Sequence, residues 1–137
     1  MKILIDTNII IDNLTRRDEY AESLKILKHC ENGKIDGIMT TVTVMDVMYI
    51  TRKYLSYPDS KNAVLMLMQI IDVVPALKTD IYTAFNIAFN DFEDAVQSAV
   101  AERVGADYIV TRNVKDYKNS FVPAISPADF LRVLIEQ

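Results

Sequence analysis

The feature that most constrains the fold is the alternation of short apolar runs with longer amphipathic stretches. The first run, residues 2–6, has apolar residues at the three consecutive positions Ile3, Leu4 and Ile5, which is typical of a strand buried on both faces of a parallel sheet. Similar runs predict further strands at residues 35–40, 72–75, 107–111 and 122–125. Because helical segments separate these strands, the sequence predicts an α/β fold whose central sheet is parallel, with right-handed crossovers.

The intervals between the strands carry apolar residues at helical spacing. Residues 7–14 should begin with a helical turn, and Asn90 and Glu93 stand at capping-box spacing at the start of a long helix. No repeat or Pro/Gly-rich linker divides the 137 residues, so we expect a single domain over residues 1–137. The helices are predicted at residues 18–31, 43–54, 58–71, 79–89, 90–105 and 128–134.

The rarity of His and Cys limits the chemistry that the chain can perform. A single Cys, Cys30, excludes an internal disulfide framework and a multi-Cys zinc site. The single His, His29, falls within a predicted helix, which argues against Ser-His-Asp catalysis. Any catalytic or metal site should therefore be built from oxygen ligands.

Charge and hydropathy indicate where the protein acts. The N-terminal segment has no signal cleavage site and no stretch approaches the length of a membrane span, so we expect a cytoplasmic protein with no membrane partner. The net charge of −4 argues at first against a nucleic-acid partner. That objection weakens if clustered acids bind cations, which would neutralise them locally.

Acidic residues stand at positions where α/β proteins bind ligands. Asp6 ends the first strand, and Thr111 and Asn113 stand at the carboxyl end of the strand predicted at residues 107–111. Ligands of parallel sheets bind beyond such carboxyl ends. Asp91 and Asp94 are spaced i and i+3 at a helix start and should share one face.

Each acid also has an ordinary structural interpretation. Asp6 could only cap the following turn, and Asp91 and Asp94 could only favour the positive end of a helix dipole. Asp46 interrupts an apolar run near the start of its helix, but an exposed Asp there would need no explanation. Together, however, these acids form the oxygen-ligand set that a hard cation requires.

Three segments carry a resemblance to a known family. LIDTN near the start, TVTVMDVMYI in the middle and DFEDAVQSAVAERVGADYIVTRNVKDY near the end resemble the PIN domain family, and most closely its VapC-type toxins. The resemblance implies a three-layer α/β/α PIN-like domain with a central parallel sheet of about five strands. It also implies an Mg²⁺- or Mn²⁺-dependent endoribonuclease that hydrolyses RNA phosphodiester bonds, a homodimer, and an antitoxin that covers the site.

The family motif assigns roles to individual residues. Asp6, Asp46 and Asp94 match the three catalytic acids, and Asp91 matches a frequent acidic position one helical turn earlier. Thr7 and Asn8 match the polar pair that supports the first acid, and Thr111 and Asn113 are further supporting residues. The metal ligands expected from this match are Asp6, Asp94, Asp46, Asp91 and Asp116. Candidate phosphate contacts on RNA are Arg16, Arg17, Arg52, Lys53, Arg112, Lys115 and Lys118.

Two departures from the motif leave alternatives open. Asp46 stands where the family usually has Glu, so its shorter side chain could act through a water. Asn113 stands where the family usually has a fourth acid, and Asp116 is the candidate substitute. This loss is the best support for the alternative function, a catalytically silent PIN-like module that binds RNA or protein. A phosphoacceptor receiver domain fits poorly, because Asp72 opens its strand and no other central strand ends in Asp. A haloacid-dehalogenase phosphatase also fits poorly, because the segment Asp6-Thr7-Asn8 lacks the second acid of its Asp-x-Asp motif.

The predicted helices at residues 60–71 and 79–89 carry more apolar side chains than one small core needs. The excess, together with the resemblance, leads us to expect that part of this surface forms the homodimer interface. The apolar residues concerned are Met66, Met68, Ile81, Phe85 and Phe89.

Overall fold

The computed structural model describes residues 1–17 and 20–136, which form a parallel sheet covered by helices on both faces. The sheet has five strands in the order β3-β2-β1-β4-β5, and every neighbouring pair is parallel. This confirms the predicted three-layer α/β/α architecture. The strands are β1 Lys2–Ile5, β2 Asp36–Thr40, β3 Asp72–Val74, β4 Tyr108–Val110 and β5 Ala124–Ile125.

Helices fill the intervals between the strands, as their apolar spacing predicted. A short 3-10 helix, Val114–Tyr117, follows β4. No helix within the described residues is long and apolar enough to cross a membrane. The α-helices are α1 Thr7–Thr15, α2 Tyr20–Glu31, α3 Thr41–Thr51, α4 Tyr57–Ile70, α5 Lys78–Phe85, α6 Phe92–Arg103 and α7 Pro127–Ile135.

The central strand β1 is buried on both faces, which explains its unbroken apolar sequence. Ile3 and Ile5 belong to one core cluster, which also contains Phe130 of α7, whereas Leu4 belongs to a second cluster with Val100 of α6. Ile3, Leu4 and Ile5 are all fully buried. The alternation of side chains along a strand therefore supplies both cores from one segment.

Helices that begin directly after strands place polar caps at the carboxyl edge of the sheet. Asp6 follows β1 and caps α1, accepting a hydrogen bond from the Thr7 amide. Thr40 ends β2 and caps α3, accepting from the Thr43 amide at 3.1 Å. The edge where ligands of such sheets bind is therefore lined by cap residues.

Three predicted boundaries need correction. The helix predicted at residues 43–54 is α3, which begins two residues earlier because Thr40 is its cap, so Asp46 lies near its middle. The predicted capping box of Asn90 and Glu93 is wrong, because Asp91 is the cap and accepts from the Asp94 amide at 3.0 Å. The helix predicted at 79–89 ends at Phe85. Residues 18 and 19 of the helix predicted at 18–31 lie outside the described residues.

Candidate active site

A cavity of about 230 Å³ opens at the carboxyl edge of the sheet, beyond β1. Among the described residues, five carboxylates line it, contributed by the end of β1, the middle of α3 and the start of α6. Its lining residues are Asp6, Thr7, Asn8, Ile11, Arg17, Val42, Asp46, Ile50, Asp91, Glu93, Asp94, Gln97 and Asn113. The structure thus brings together the four acids, Asp6, Asp46, Asp91 and Asp94, that the sequence placed at one edge.

Asp6 is the most deeply placed of these acids and is only 5% exposed. Its backbone amide bonds to the Val110 carbonyl of the neighbouring strand, which places the side chain at the sheet edge. Its carboxylate accepts hydrogen bonds from the Thr7 amide at 2.8 Å, Asn8 Nδ2 at 3.2 Å and Thr111 Oγ1 at 2.8 Å. Burial raises the pKa of Asp6, and the hydrogen bonds from Thr111 Oγ1 and the Thr7 amide oppose the rise. The sequence assigned all three donors supporting roles.

Asp94 lies in the first turn of α6 and is half-buried. Its pKa is raised to about 7, chiefly by burial and then by the charges of Asp6 and Asp91. The Tyr117 hydroxyl donates to Asp94 Oδ1 at 3.2 Å and lowers that pKa. Burial and the two nearby aspartates raise the pKa of Tyr117 above its usual range, so the hydroxyl keeps its proton and remains a donor.

Glu93 belongs to the site although the sequence analysis treated it as a capping residue. Its pKa is raised to about 7 by partial burial of the carboxyl, by a hydrogen bond with Asp46, and by the charges of Asp46, Asp91 and Asp94. A raised pKa of this kind indicates that carboxylates are crowded with too little compensating positive charge. Glu93 and Asp46, from two different helices, therefore form a second carboxyl pair beside Asp6 and Asp94.

A buried polar network supports the floor of the cavity. Gln97 Oε1 accepts from Thr40 Oγ1 at 2.6 Å, and Gln97 Nε2 donates to Thr43 Oγ1 at 2.8 Å. The Thr43 hydroxyl lies 2.9 Å from that of Thr7, whose amide contacts Asp6. Because every buried side-chain polar atom of the described residues has a partner, this network holds α1, α3 and α6 in fixed relation.

The donor set suits a divalent cation that keeps part of its water shell. In the part of the chain that the structure describes, the metal-ligating atoms of the cavity are oxygens of acidic, amide and hydroxyl side chains, beside the guanidinium of Arg17. Within residues 1–17 and 20–136, no three His, Cys, Asp or Glu side chains converge closely enough to enclose an ion by themselves. Mg²⁺ commonly binds through one or two carboxylates and several waters, so the residues fit such an ion.

Asn113 and Asp116 occupy different places. Asn113 lines the carboxylate cavity, at the position where the motif expects an acid. Asp116 is exposed and lines a neighbouring cavity with Lys115 and Lys118. The charge of Asp116 still contributes to the raised pKa of Asp94, as the last of its causes.

The candidate phosphate contacts are scattered, and within the described part of the chain Arg17 is the basic residue that lines the carboxylate cavity. Arg17 and Arg112 both pair with the buried Asp12, which the sequence analysis overlooked. Arg52 lies over the Tyr49 ring and donates to the Tyr49 carbonyl. Arg16 and Lys53 are exposed, and Lys115 belongs to the neighbouring cavity.

The chain is an α/β domain with a five-stranded parallel sheet and a cavity lined by carboxylates at the carboxyl edge of that sheet. The family model described as PIN domain matches residues 2–115, and the chain therefore belongs to the PIN domain family. A comparison with curated proteins found no match.

Solved structures share the fold over nearly the whole chain. DNA-bound VapBC from Salmonella typhimurium aligns with a TM-score of 0.73 at 14% identity, over 93% of this chain and 98% of that chain. VapBC2 from Rickettsia felis, bound to a fragment of its promoter, aligns with a TM-score of 0.72 at 12% identity, over 92% and 98%. VapC20 from Mycobacterium tuberculosis, described as a toxin that cleaves the sarcin-ricin loop, aligns with a TM-score of 0.61 at 13% identity, over 78% and 86%. At these identities the likeness establishes the shared fold.

Proposed function

We propose that the protein is an Mg²⁺- or Mn²⁺-dependent endoribonuclease that hydrolyses RNA phosphodiester bonds, and that it is the toxin of a toxin–antitoxin pair. The observation that supports this most is the gathering of Asp6, Asp46, Asp91, Glu93 and Asp94 around one cavity of a PIN domain. The likeness to toxins, one of which is described as cleaving the sarcin-ricin loop, favours RNA as the substrate.

Asp6 and Asp94 are the residues that we propose hold the metal, with Asp46 and Asp91 assisting. When bound, a divalent cation supplies polarisation of a phosphoryl oxygen and lowers the pKa of nearby water. Asp6 is oriented for this role by three hydrogen-bond donors, from Thr7, Asn8 and Thr111. Asp94 is oriented by the Tyr117 hydroxyl.

The raised pKa values describe the state of the site before a cation arrives. Asp94 and Glu93, with pKa values of about 7, each hold a proton below that pH and release it above. Repulsion between the neighbouring carboxylates raises the free energy of the metal-free site, and a bound cation relieves this repulsion. No protein nucleophile is required, which agrees with a chain that has one His and one Cys.

An antitoxin is the partner that this function requires. Several of the similar solved structures are toxin–antitoxin complexes, including one from Klebsiella pneumoniae. We propose that a basic side chain of the antitoxin enters among the acids and competes with the metal. The product of an adjacent reading frame should then bind the protein and suppress cleavage, and a partner that binds without suppressing cleavage would contradict this.

Cleavage of single-stranded or loop RNA in the presence and absence of Mg²⁺ or Mn²⁺ tests the proposed activity. Cleavage should require the metal and stop when EDTA is added. Asn113, in place of a fourth acid, favours the alternative of a catalytically silent PIN module. RNA binding without cleavage at any metal concentration would support that alternative and contradict the enzyme.

A further inference from the structure

Asp12 of α1 is a buried carboxylate that the proposed chemistry does not use. It is 2% exposed, and it directly follows Ile9, Ile10 and Ile11, which are also buried. Two guanidinium groups contact it: Arg17 Nε lies 3.0 Å from Oδ1, and Arg112 Nε lies 2.8 Å from Oδ2. The two arginines come from the segment after α1 and from the segment after β4, so Asp12 joins distant parts of the chain.

This ion-pair group borders the carboxylate cavity. Arg17 lines the cavity together with Asp6 and Asp94. The Arg112 amide donates to Asn8 Oδ1 at 3.4 Å, and Asn8 Nδ2 in turn donates to Asp6 Oδ2 at 3.2 Å. The side chains of Arg17 and Arg112 remain 42% and 34% exposed.

We propose that Arg17 and Arg112, oriented by Asp12, form a phosphate-binding subsite that takes a phosphodiester of the RNA strand adjacent to the bond that is cut. This inference rests on the proposed ribonuclease function. An RNA strand that enters the cavity meets five carboxylates of the described residues, which repel its phosphates. The positively charged guanidinium groups at the edge of the cavity offset this repulsion.

Asp12 gives the subsite its geometry. A guanidinium binds phosphate through paired N–H donors, and this requires a defined orientation of its plane. Because Asp12 binds Nε of both arginines, it restricts their rotation and reduces the entropy lost when phosphate binds. Asp12 is thus a positioning residue, and Arg17 and Arg112 are the contacts.

Another buried pair in the same fold provides a matched control. Asp80 of α5 is also 2% exposed and accepts from Arg103 Nε at 3.0 Å and 3.1 Å. These two residues line a separate cavity with Thr79 and Glu102. Asp80→Asn therefore reproduces the loss of a buried acid from an ion pair without altering the carboxylate cavity.

The test measures affinity for a single-stranded RNA oligonucleotide by fluorescence anisotropy over a range of salt concentrations, in the Asp6→Asn background with Mg²⁺. Gel analysis confirms that the oligonucleotide stays intact. Arg17→Gln should weaken binding about tenfold and reduce the salt slope by about 0.7, the value for one phosphate contact on a single strand. Arg132→Gln, which removes an equally charged but exposed residue of α7, should change neither quantity appreciably.

Asp12→Asn separates orientation from charge. The substitution removes a negative charge, so RNA affinity should rise if the surface acts through its net charge alone. If Asp12 orients the two arginines, RNA affinity should instead fall, to several-fold below the affinity of Asp80→Asn. If Asp12→Asn does not fold, Arg17→Lys replaces it, because Lys keeps the charge and loses the Nε–H donor; it should also bind several-fold more weakly.

Three results would overturn the subsite: no RNA binding by the Asp6→Asn parent, an equal effect of Arg17→Gln and Arg132→Gln, or unaltered or tighter binding by Asp12→Asn or its substitute. Cleavage by the wild-type protein is assayed separately. Persistent cleavage with any of these results would reject the subsite alone and leave the proposed function in place.

Discussion

The Tyr117 hydroxyl donates a hydrogen bond to Asp94 Oδ1 at 3.2 Å, and this bond joins the 3-10 helix after β4 to the first turn of α6. The Tyr117 side chain is buried, and its ring packs edge-on against Phe89, with ring centroids 5.9 Å apart. A single side chain therefore connects the core below the site to one of the acids that we propose hold the metal.

Tyr117→Phe should weaken metal binding while preserving the fold. Phe keeps the ring contact with Phe89 but removes the donor that lowers the pKa of Asp94. The pKa of Asp94 should rise further, so the metal concentration at half-maximal cleavage should increase about tenfold near pH 7 and recover at higher pH. A metal titration at two pH values measures this, with circular dichroism as the control for folding. An unchanged midpoint at both pH values would show that the hydroxyl does not act on Asp94.

The stability of the metal-free protein should depend on Asp94 with a defined sign. Its folded pKa of about 7 lies above the usual value near 4, so the unfolded state releases this proton first as pH rises. The contribution of Asp94 to stability is present below about pH 4 and is lost as the pH rises to about 7.

Thermal melts in EDTA compare Asp94→Asn with the wild type. The variant should melt at nearly the wild-type temperature at pH 4 and a few degrees higher at pH 8, since Asn carries no charge to repel Asp6 and Asp91. A difference between the two proteins that does not vary with pH would mean that the pKa of Asp94 is close to its usual value.

Substitutions at Asn113 and Asp116 test whether the site has three acids or four. We predict that Asp116→Asn lowers activity substantially and that Asn113→Asp is tolerated or increases apparent metal affinity. Asn113 already lines the carboxylate cavity, so an acid there would add a charged ligand. Asn62→Asp, an exposed position of α4, controls for the added charge.

A metal titration of the cleavage rate measures both effects. If Asp116→Asn leaves the maximal rate and the metal midpoint unchanged, the fourth assignment to Asp116 is wrong. Asp116, which is exposed and lines a neighbouring cavity, would then be an ordinary surface residue.

The protein should be a homodimer at micromolar concentration. Met66, Met68 and Phe85 are exposed to 67%, 48% and 71%, whereas Ile81 and Phe89 pack partly against the second core cluster. Exposed apolar side chains of this size are typical of an interface. Sedimentation velocity should show a dimer that Phe85→Glu or Met66→Glu weakens, with Ile135→Glu as the exposed control. A wild-type protein that sediments only as a monomer would contradict this prediction.

Local patterns were sufficient to predict the strands and the edge where the acids meet. Asp6 was identifiable because it ends an apolar strand, and Asp46 because it interrupts an apolar run. The same reasoning applied to Asp12, which follows three consecutive isoleucines, would have indicated a buried acid with a partner. Its partner Arg112 could not be inferred, because it lies 100 residues away in the sequence.

Contacts between helices account for what local patterns did not predict. Glu93 fits a capping box by spacing, yet Asp91 is the cap, and Glu93 instead pairs with Asp46 of α3. Gln97 gave no signal, since a polar residue in a helix is usually exposed, but it is buried between Thr40 and Thr43. Tyr117 acts through its hydroxyl, whose partner depends on how the 3-10 helix packs on α6.

Cleavage of RNA by the Asp6→Asn and Asp94→Asn variants tests the central claim most directly. Asp72→Asn, at the opposite edge of the sheet where β3 begins, is the matched control. We predict that both site variants keep the wild-type circular dichroism spectrum and lose metal-dependent cleavage, while Asp72→Asn cleaves at the wild-type rate. Metal-dependent cleavage retained by both Asp6→Asn and Asp94→Asn, in protein free of contaminating nuclease, would contradict the assignment of this cavity as the active site.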